Sequence, residues 1–458
     1  MSRLSALLPL LAALACEEAP VGPEPGEQRS GGDTTVFDTS ANAFALSARN
    51  MSFDRRQQFA VGNSFFNKNW VTAPSSTTSR DGLGPTFNAR SCSTCHFKDG
   101  RGRAPGPGED FVGLLLRLGV PGSDSYGGPL AAGVYGDQLQ PHAIDGVPAE
   151  GTPRVTFTER PASFADGEPY SLRAPTYSIE SPALGPLPQG LQISPRIAPV
   201  IIGMGLLAAI PEADLLARAD PDDRDGDGIS GRANQVWDAT AGAPRLGRFG
   251  WKANQPSVLQ QTAGAFLGDL GVTSSVFGGQ NCPEGQLMCE AAATGGDPEI
   301  VDALLDAVVL YANTLAVPGR RDFDDPQVLR GKAQFTALGC ADCHTPRHVT
   351  GPDELVPEAA DQIIFPFTDL LLHDMGPELA DGRSDFLATG DEWRTPPLWG
   401  IGLVETVNGH TEFLHDGRAR SLLEAVLWHG GEAEASREAV KALPRGERDD
   451  LLAFLRSL

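Results

Sequence analysis

Two short runs of the sequence place two cysteines three positions apart, with a histidine directly after the second cysteine. In such a run each thiol can add to a vinyl group of haem, and the adjacent imidazole can ligate the iron. The residues that carry the two patterns are Cys92, Cys95, His96, Cys340, Cys343 and His344. The sequence therefore predicts two covalently bound c-type haems, with His96 and His344 as iron ligands.

A zinc ribbon built from the two pairs of cysteines is the alternative interpretation. Haem attachment is favoured because both pairs carry the trailing histidine, and the chain has only seven cysteines and eight histidines in 458 residues. The remaining cysteines have separate explanations. Cys282 and Cys289 are close enough in sequence for a disulfide, with two unpaired thiols in a surface loop as the alternative. Cys16 ends an apolar run.

Composition restricts the class of protein. With 41% hydrophobic and 21% charged residues, the chain is typical of a soluble globular protein of two or three domains. The net charge of −23 argues against nucleic acid as a partner, because phosphates require a basic surface. An acidic surface allows a cationic redox partner, but a solvated acidic surface is the favoured interpretation of the charge.

The first residues are predicted to target the chain for export. Residues 1–15 contain one arginine and an apolar run of signal-peptide length. Residues 13–16 resemble a bacterial lipobox, in which Cys16 is lipidated, but Ala13 replaces the commoner leucine and leaves cleavage without lipidation open. Residues 16–45 are predicted to be a lipidated N-terminus and flexible linker. We expect a periplasmic protein that contacts the membrane only through a lipid anchor.

Helical patterns surround both cysteine motifs. Gly62 and Phe66 precede the first motif in the way that Gly331 and Phe335 precede the second, and leucines recur at helical spacing in residues 445–458. This arrangement resembles the cytochrome c domain. We therefore expect a mainly α fold with two cytochrome c-like domains.

The predicted domain boundaries follow from this interpretation. An N-terminal haem domain is expected over residues 46–318, with a small β-containing insertion, and a C-terminal cytochrome c-like domain over residues 319–458. Residues 111–118, 155–158 and 170–173 alternate or are β-branched between glycine and proline turns, which predicts the strands of the insertion.

One acidic loop follows the pattern of a calcium site. Asp223, Asp225 and Asp227 occupy the spacing of the first half of such a loop, and Gly228 follows them. The twelfth position is Asn234, where the full pattern requires glutamate. Calcium is therefore one interpretation, and a solvated turn is the other.

Several longer stretches resemble one bacterial family, the di-haem oxidoreductases described as peroxidases or thiol oxidoreductases. This family is distantly related to the di-haem cytochrome c peroxidases and to the methylamine-utilisation di-haem enzyme. The resemblance runs from about residue 45 to the end, through residues 82–96, 248–256, 372–376, 393–400 and 413–418. It implies a haem-dependent oxidoreductase. By likeness to the peroxidases, Arg394 would pair with a haem propionate, with a surface salt bridge as the alternative.

The same resemblance suggests the second ligand of the C-terminal haem. Residues 421–429 are similar to the peroxidase helix that delivers this ligand, usually a methionine, and here His429 takes that place. We predict His344 and His429 as the ligand pair. Met375 is the main rival, His415 is expected to have a structural hydrogen-bonding role, and the other candidates are His373 and His410.

The N-terminal haem has no such partner in the sequence. His142, the next histidine after His96, is expected to be a polar loop residue, which suggests an open iron. Peroxide chemistry then needs a distal group to move a proton. Gln260, Gln261 and Gln255 are the candidates in the segment that resembles the peroxidase pocket. Trp251 is either an electron relay between the haems or a buried core residue.

The predicted function is that of an exported, peroxidase-like di-haem oxidoreductase. Its partners would be a small-molecule oxidant or substrate and a periplasmic electron-transfer protein. The first alternative is a pure electron-transfer cytochrome, which would need two ligands on both irons. The second is a dioxygen-activating oxygenase similar to the latex-cleaving di-haem enzymes.

Overall fold

The structure is a computed structural model that describes residues 22–106 and 108–458. The predicted signal peptide and the predicted lipidation of Cys16 therefore lie outside the described residues. Among the helices of the described residues, none is long and apolar enough to cross a bilayer.

The helices of the described ranges are short. They are α1 Phe53–Asn67, α2 Cys92–Cys95, α3 Met204–Ala208, α4 Glu212–Leu216, α5 Val258–Leu270, α6 Leu287–Glu290, α7 Asp302–Asn313, α8 Pro326–Ala337, α9 Cys340–Cys343, α10 Val404–Asn408, α11 Leu422–Leu427, α12 Glu434–Ala442 and α13 Arg445–Ser457.

The strands form several small antiparallel sheets. They are β1 Thr86–Phe87, β2 Leu114–Ser123, β3 Pro129–Leu130, β4 His142–Ala143, β5 Thr152–Ser163, β6 Pro169–Glu180, β7 Gln192–Ile197, β8 Gln235–Asp238, β9 Ala243–Leu246, β10 His348–Val349, β11 Ile363–Ile364, β12 Leu372–Asp374 and β13 Glu392–Arg394. Strands β3, β2 and β7 form a three-stranded sheet, and the others pair as β1–β4, β5–β6, β8–β9, β10–β11 and β12–β13.

The prediction of a mainly α fold with two cytochrome c-like domains is wrong. The structure is only 29% helical and has 18% strand, spread over thirteen helices and several small sheets of the described residues. Helical periodicity occurs next to the two motifs, but much of the rest of the chain does not have it. The chain contains 53 glycines and 37 prolines, which interrupt helices and favour turns and short strands.

Two helix pairs frame the two motifs in a similar way. Helix α1 packs on α7, and α8 packs on α13. A Cβ atom added to Gly62 of α1 would lie 2.0 Å from the Ala307 carbonyl oxygen, and one added to Gly331 of α8 would lie 2.0 Å from that of Asp450. Glycine therefore allows close helix contact at both places. The helix predicted at the C-terminal end is confirmed as α13.

A long β-hairpin connects distant parts of the chain. Strands β5 and β6 pair over twelve residues each, from Thr152 opposite Glu180 to Ser163 opposite Pro169. At its tip Asp166 accepts a hydrogen bond from Arg448 of α13 at 2.9 Å. Along β6, Arg173 forms a salt bridge with Glu412 at 3.0 Å. The hairpin lies in the N-terminal half of the sequence but contacts the C-terminal half.

Residues 22–37, here called the N-terminal segment, are packed onto the protein body. Glu27 is 1% exposed and forms salt bridges with Lys332 and Arg320. The backbone N–H of Phe365 donates to the carbonyl of Ser30 at 2.8 Å. The linker prediction for residues 16–45 did not anticipate these contacts, because composition alone does not reveal a buried partner for one glutamate.

The predicted disulfide is confirmed, with Cys282 and Cys289 bonded and their Cα atoms 5.6 Å apart. The domain boundary at residues 318 and 319 stays a prediction.

Candidate active site

Both cysteine motifs line one cavity. It has a volume of about 610 Å³, and Cys92, Cys95, Cys340 and Cys343 contribute to its wall together with the histidines that follow them. The four thiols form no disulfide. Burial raises the pKa of Cys92, Cys95 and Cys340 to about 12, so these thiols are protonated. Unpaired thiols that line a shared cavity are compatible with the predicted covalent attachment of haem.

The first motif presents His96 as a neutral ligand. Helix α2 carries both cysteines, and His96 ends it. The Nδ1 atom of His96 donates to the carbonyl of Pro199 at 2.8 Å, which leaves Nε2 available. Burial lowers the pKa of His96 to about 4, so the ring is neutral and can bind iron. The ring of Phe66 lies 6.2 Å from the imidazole.

The second motif has the same geometry. Helix α9 carries the cysteines, and the Nδ1 atom of His344 donates to the carbonyl of Phe367 at 3.0 Å. Burial lowers the pKa of His344 to about 4 as well. Phe335 lies 6.2 Å from this imidazole between ring centroids, as Phe66 does in the first motif. A hydrogen-bonded Nδ1 and a free Nε2 are typical of an axial iron ligand.

Three arginines place positive charge in the cavity wall without a carboxylate partner. All three donate hydrogen bonds to backbone carbonyls. Arg101 donates to those of Glu412 and Leu414, and Arg394 donates to those of Gly250 and Thr395. The carbonyls that accept from Arg248 belong to Leu207, Ala208 and Ile210. Burial lowers the pKa of Arg101 and Arg394 to about 10, and it lowers that of Arg248.

Buried cations of this kind favour an anionic group in the cavity, and the haem propionates supply such groups. The residues present therefore fit two haems. Arg394 forms no surface salt bridge, which was the alternative for this residue. Its side chain is buried and donates to backbone carbonyls. Sequence reasoning missed Arg101 and Arg248. Arg101 comes five residues after His96, and this closeness in sequence to a predicted iron ligand could have identified it as a residue of the site.

A family model described as "Di-haem oxidoreductase, putative peroxidase" matches residues 26–118 and 155–458. The chain belongs to this family. The family resemblance noted in the sequence is thereby confirmed, and the family name implies haem as the cofactor and an oxidoreductase activity. No curated protein and no solved structure gave a match. The unmatched residues 119–154 include β3, β4 and the start of β5.

In this di-haem oxidoreductase, His429 lines the same cavity as His344. It follows α11, and its Nδ1 donates to the carbonyl of Ala425 at 2.8 Å, so that Nε2 is again available. Burial lowers the pKa of His429, which keeps it neutral. The rival ligand Met375 also lines the cavity. The ligand pair of His344 and His429 stays a prediction, with a geometry that suits it.

Two other candidate ligands have both ring nitrogens engaged. The Nε2 of His373 donates to Asp369 at 2.8 Å and its Nδ1 to Glu432 at 2.6 Å. Burial alone would lower the pKa of His373. The hydrogen bonds to these carboxylates outweigh burial, and the pKa is raised well above its usual value. His410 donates from Nε2 to the carbonyl of Arg101 at 3.0 Å and accepts from the N–H of Glu412. Neither ring can bind iron in this state.

His415 behaves differently from the expectation of a hydrogen-bonding role. Its ring stacks on that of Trp393, with centroids 3.7 Å apart and planes inclined by 10°. Its Nε2 lies 3.9 Å from Asp416 Oδ2, beyond hydrogen-bond distance. Burial lowers the pKa of His415 well below its usual value, so the ring is neutral. It lines the cavity.

The three glutamines expected near the N-terminal haem separate into two groups. Gln261 and Gln255 line the cavity, and the Oε1 of Gln255 is buried without a partner among the described residues. Gln260 does not line the cavity. Its Oε1 accepts from the N–H of Ala239 at 2.8 Å and its Nε2 donates to the carbonyl of Trp237 at 3.0 Å, so it holds the turn between β8 and β9.

Trp251 is a buried residue of the cavity wall. Its indole N–H donates to the carbonyl of Ile197 at 2.8 Å, and the Arg101 guanidinium lies 5.3 Å from the ring centre. Both interpretations of this residue are compatible with that position, since it is a core residue and also lines the cavity that the two motifs share.

The remaining predicted positions are at the surface. Asp223, Asp225 and Asp227 are exposed, and one carboxylate oxygen from each lies within 4.8 Å of the others. Asn234 is buried and donates to the carbonyls of Lys252 and Asp385, so it does not complete the loop. Calcium stays a prediction. His142 is exposed and stacks on Phe87.

Proposed function

We propose that this di-haem oxidoreductase is an exported peroxidase-like enzyme that reduces peroxide or oxidises a small substrate in the periplasm. The haem attached at residues 92–96 would be the reactive centre, and the haem attached at residues 340–344 would store an electron. The observation that supports this division is an asymmetry in the cavity. The histidines that line it besides His96 are His344, His373, His415 and His429, all from the C-terminal half.

A haem with an open sixth position supplies the site where peroxide binds and accepts electrons, whereas a haem with two protein ligands only transfers them. His96 would hold the first kind, with its Nδ1 fixed by Pro199. His344 and His429 would hold the second kind. Their free Nε2 atoms and neutral rings support this assignment.

Other side chains of the cavity have assigned tasks in this proposal. Arg101, Arg248 and Arg394 would hold the propionates, which fixes the position of each haem. Gln255 and Gln261 would donate hydrogen bonds to the bound oxidant and orient it. Trp251 would carry electrons between the two haem sites.

Peroxide reduction consumes two electrons and two protons and yields two molecules of water. A periplasmic electron-transfer protein would supply the electrons, and solvent would supply the protons. Export, covalent attachment and lipidation at Cys16 belong to the same proposal. They are supported by the apolar run before Cys16 and by the unpaired thiols of both motifs.

The test is spectroscopic and uses protein made with a c-type maturation system. A pyridine haemochrome assay should give two covalent haems per chain. Carbon monoxide should then change the spectrum of one of the two reduced haems, and peroxide should oxidise the reduced protein. If neither carbon monoxide nor peroxide perturbs the spectrum, the enzyme assignment is wrong and the protein is a two-haem electron carrier.

A further inference from the structure

A groove of about 530 Å³, here called the insertion groove, lies at the surface beside the first cysteine motif. Asn88, Ala89, Cys95 and Phe111 line both this groove and the cavity that the two motifs share. The groove and the cavity therefore adjoin at a wall that carries one of the cysteines predicted to hold haem. Volumes of roughly 300–1,000 Å³ are typical of sites for small molecules.

One side of the insertion groove comes from a part of the chain that the family model does not match. Residues 119–154 lie outside that match, and Pro141, His142 and Val147 of this segment line the groove. His142 is opposite Phe87 in the pairing of β4 with β1, and the two rings stack with their centroids 5.7 Å apart. What the groove binds can therefore differ between this chain and other members of the family.

The unmatched segment is fastened to the helix that forms part of the cavity wall. The buried side chains of Gln138 and Gln140 both donate to the carbonyl of Gly268 in α5, at 2.9 and 2.8 Å. Asn88 donates to the carbonyl of Leu139 at 3.0 Å. These hydrogen bonds fix the shape of the groove before a ligand enters, which reduces the cost of ordering on binding.

The insertion groove differs in charge from the rest of the protein. The chain has 59 acidic and 36 basic residues, yet no aspartate or glutamate lines the groove in the part of the chain that the structure describes. Arg90 lines it, is exposed and lies over the Phe87 ring at 5.6 Å, without a salt bridge to any described residue. Phe111 and Val112 add apolar surface. An unpaired cation beside apolar side chains suits a ligand with an apolar body and an anionic group.

We propose that the insertion groove binds a phenolic carboxylate, which donates electrons to the haem attached at residues 92–96. This inference rests on the proposed function and names the class of its small substrate. Arg90 would bind the carboxylate, and Phe111 and Val112 would pack against the aromatic ring. Cys95, at the wall between groove and cavity, would place the edge of the haem beside that ring.

A ligand held in the groove lies beside the haem and not on its iron, so it can give electrons but cannot exchange atoms with the bound oxidant. Phenols suit this role because they release one electron at a time. Each phenol gives one electron to the haem and its O–H proton to water, and it becomes a phenoxyl radical. Two phenols thus supply the two electrons and two protons that one peroxide consumes to yield two molecules of water.

The first experiment measures binding alone, by calorimetry on the haem-loaded protein without peroxide. Three probes share a phenol ring and a two-carbon chain and differ in charge: para-hydroxyphenylpropionate, its methyl ester and tyramine. The carboxylate should bind at least about tenfold more tightly than the ester, because a hydrogen bond to a charged group is lost in the ester. Tyramine, which is cationic, should bind most weakly. Arg90→Gln should remove the preference for the carboxylate.

Two further variants separate the groove from a general effect of charge. Arg347 is also exposed and follows the second motif by three residues, so Arg347→Gln is a matched control that should bind all three probes like the wild type. Val112 is 53% exposed, and Val112→Trp should weaken binding of all three probes by filling the groove. Equal affinity of the wild type for the three probes would overturn the proposal. So would a loss of carboxylate binding in Arg347→Gln as large as that in Arg90→Gln.

The second experiment adds peroxide and follows the fluorescence of the dimer that phenoxyl radicals form. The wild type should consume two molecules of para-hydroxyphenylpropionate per peroxide, and Arg90→Gln should raise KM for this phenol at least about tenfold with little change in kcat. If the phenol binds but peroxide is consumed only with another electron donor, the groove does not deliver electrons and the proposal is wrong. If no donor supports peroxide consumption and carbon monoxide leaves the spectrum unchanged, the proposed function itself fails, and the electron donation fails with it.

Discussion

The two motif regions have the same parts up to the histidine predicted to bind iron, and they differ beyond it. In each, a glycine allows two helices to pack closely, a phenylalanine lies 6.2 Å from the histidine, and the histidine Nδ1 donates to a backbone carbonyl. The C-terminal half adds two further neutral histidines that line the cavity, His429, whose Nδ1 donates to a carbonyl, and His415, which stacks on Trp393. If the proposed function holds, the comparison teaches that haem attachment and haem reactivity depend on different residues.

The strongest test of this comparison removes one proximal histidine at a time. His96→Ala should reduce peroxide consumption by more than about a hundredfold, because loss of a metal ligand's supporting partners alone costs about 10- to 100-fold. His344→Ala should keep the wild-type carbon monoxide spectrum of the first haem and should lower peroxide consumption less. A larger loss of peroxide consumption in His344→Ala than in His96→Ala would reverse the assignment of the two haems.

The second test concerns the residue that distinguishes the regions. His429→Ala should convert the C-terminal haem from low spin to high spin and create a second carbon monoxide site, because one axial ligand is lost. Electron paramagnetic resonance of the oxidised protein measures the change. Met375→Leu serves as the control and should leave the low-spin signal intact. A low-spin signal that survives in His429→Ala would identify another ligand.

The third test addresses what the two regions share. Gly62→Ala and Gly331→Ala should each lower the free energy of unfolding by about 1–3 kcal/mol, because the added methyl group overlaps a carbonyl oxygen of the partner helix. Urea unfolding followed by circular dichroism measures this. Gly446→Ala in α13, where no atom lies within 4 Å of the added Cβ, should change stability by at most about 1 kcal/mol. Wild-type stability of both variants would refute the close contacts.

The fourth test concerns buried carboxyl groups outside the motifs, whose effect on stability is confined to part of the pH range. Burial raises the pKa of Glu150 to about 7, despite hydrogen bonds from Gln286 and Gln140. The unfolded carboxyl titrates near 4.5, so the folded protein should lose stability as pH rises from about 4.5 to 7. Glu150→Gln should remove this loss, worth at most about 3 kcal/mol.

Asp385 provides the contrast to Glu150. Burial would raise its pKa, but Arg383, Arg196 and Lys252 lower it to about 2. Its contribution to stability should therefore be present above about pH 4 and disappear as the pH falls toward 2. Thermal unfolding of Glu150→Gln and Asp385→Asn across pH 3 to 8 checks both directions. Equal slopes for the two variants and the wild type would contradict the assignment.

The sequence predicted the parts of the site that depend on local spacing. Cysteine motifs, helix periodicity in α13 and the disulfide of Cys282 and Cys289 are readable because the residues that interact lie close together in the chain. The position of Gln260 was not predictable in this way. Neighbouring residues on a helix point in different directions, and Gln261 faces the cavity where Gln260 does not.

The overall fold and several cavity residues depend on contacts between distant segments. The hydrogen bond between His373 and Glu432 joins residues that are 59 positions apart, and the one between Arg101 and Leu414 joins residues that are 313 positions apart. Periodicity in the sequence does not predict such contacts. The mainly α expectation failed for a related reason, since it extended the pattern around each motif to loops and short strands that carry no helical signal.

The hairpin of β5 and β6 has a consequence for how the two halves could be exchanged. Its charged residues reach Arg448 and Glu412, so the C-terminal half is completed by side chains encoded in the N-terminal half. A chimaera that replaces only the chain after residue 318 would pair a foreign surface with this hairpin and leave Arg173 without its partner. Recombination between related enzymes of this kind would therefore have to transfer the hairpin together with the half it contacts.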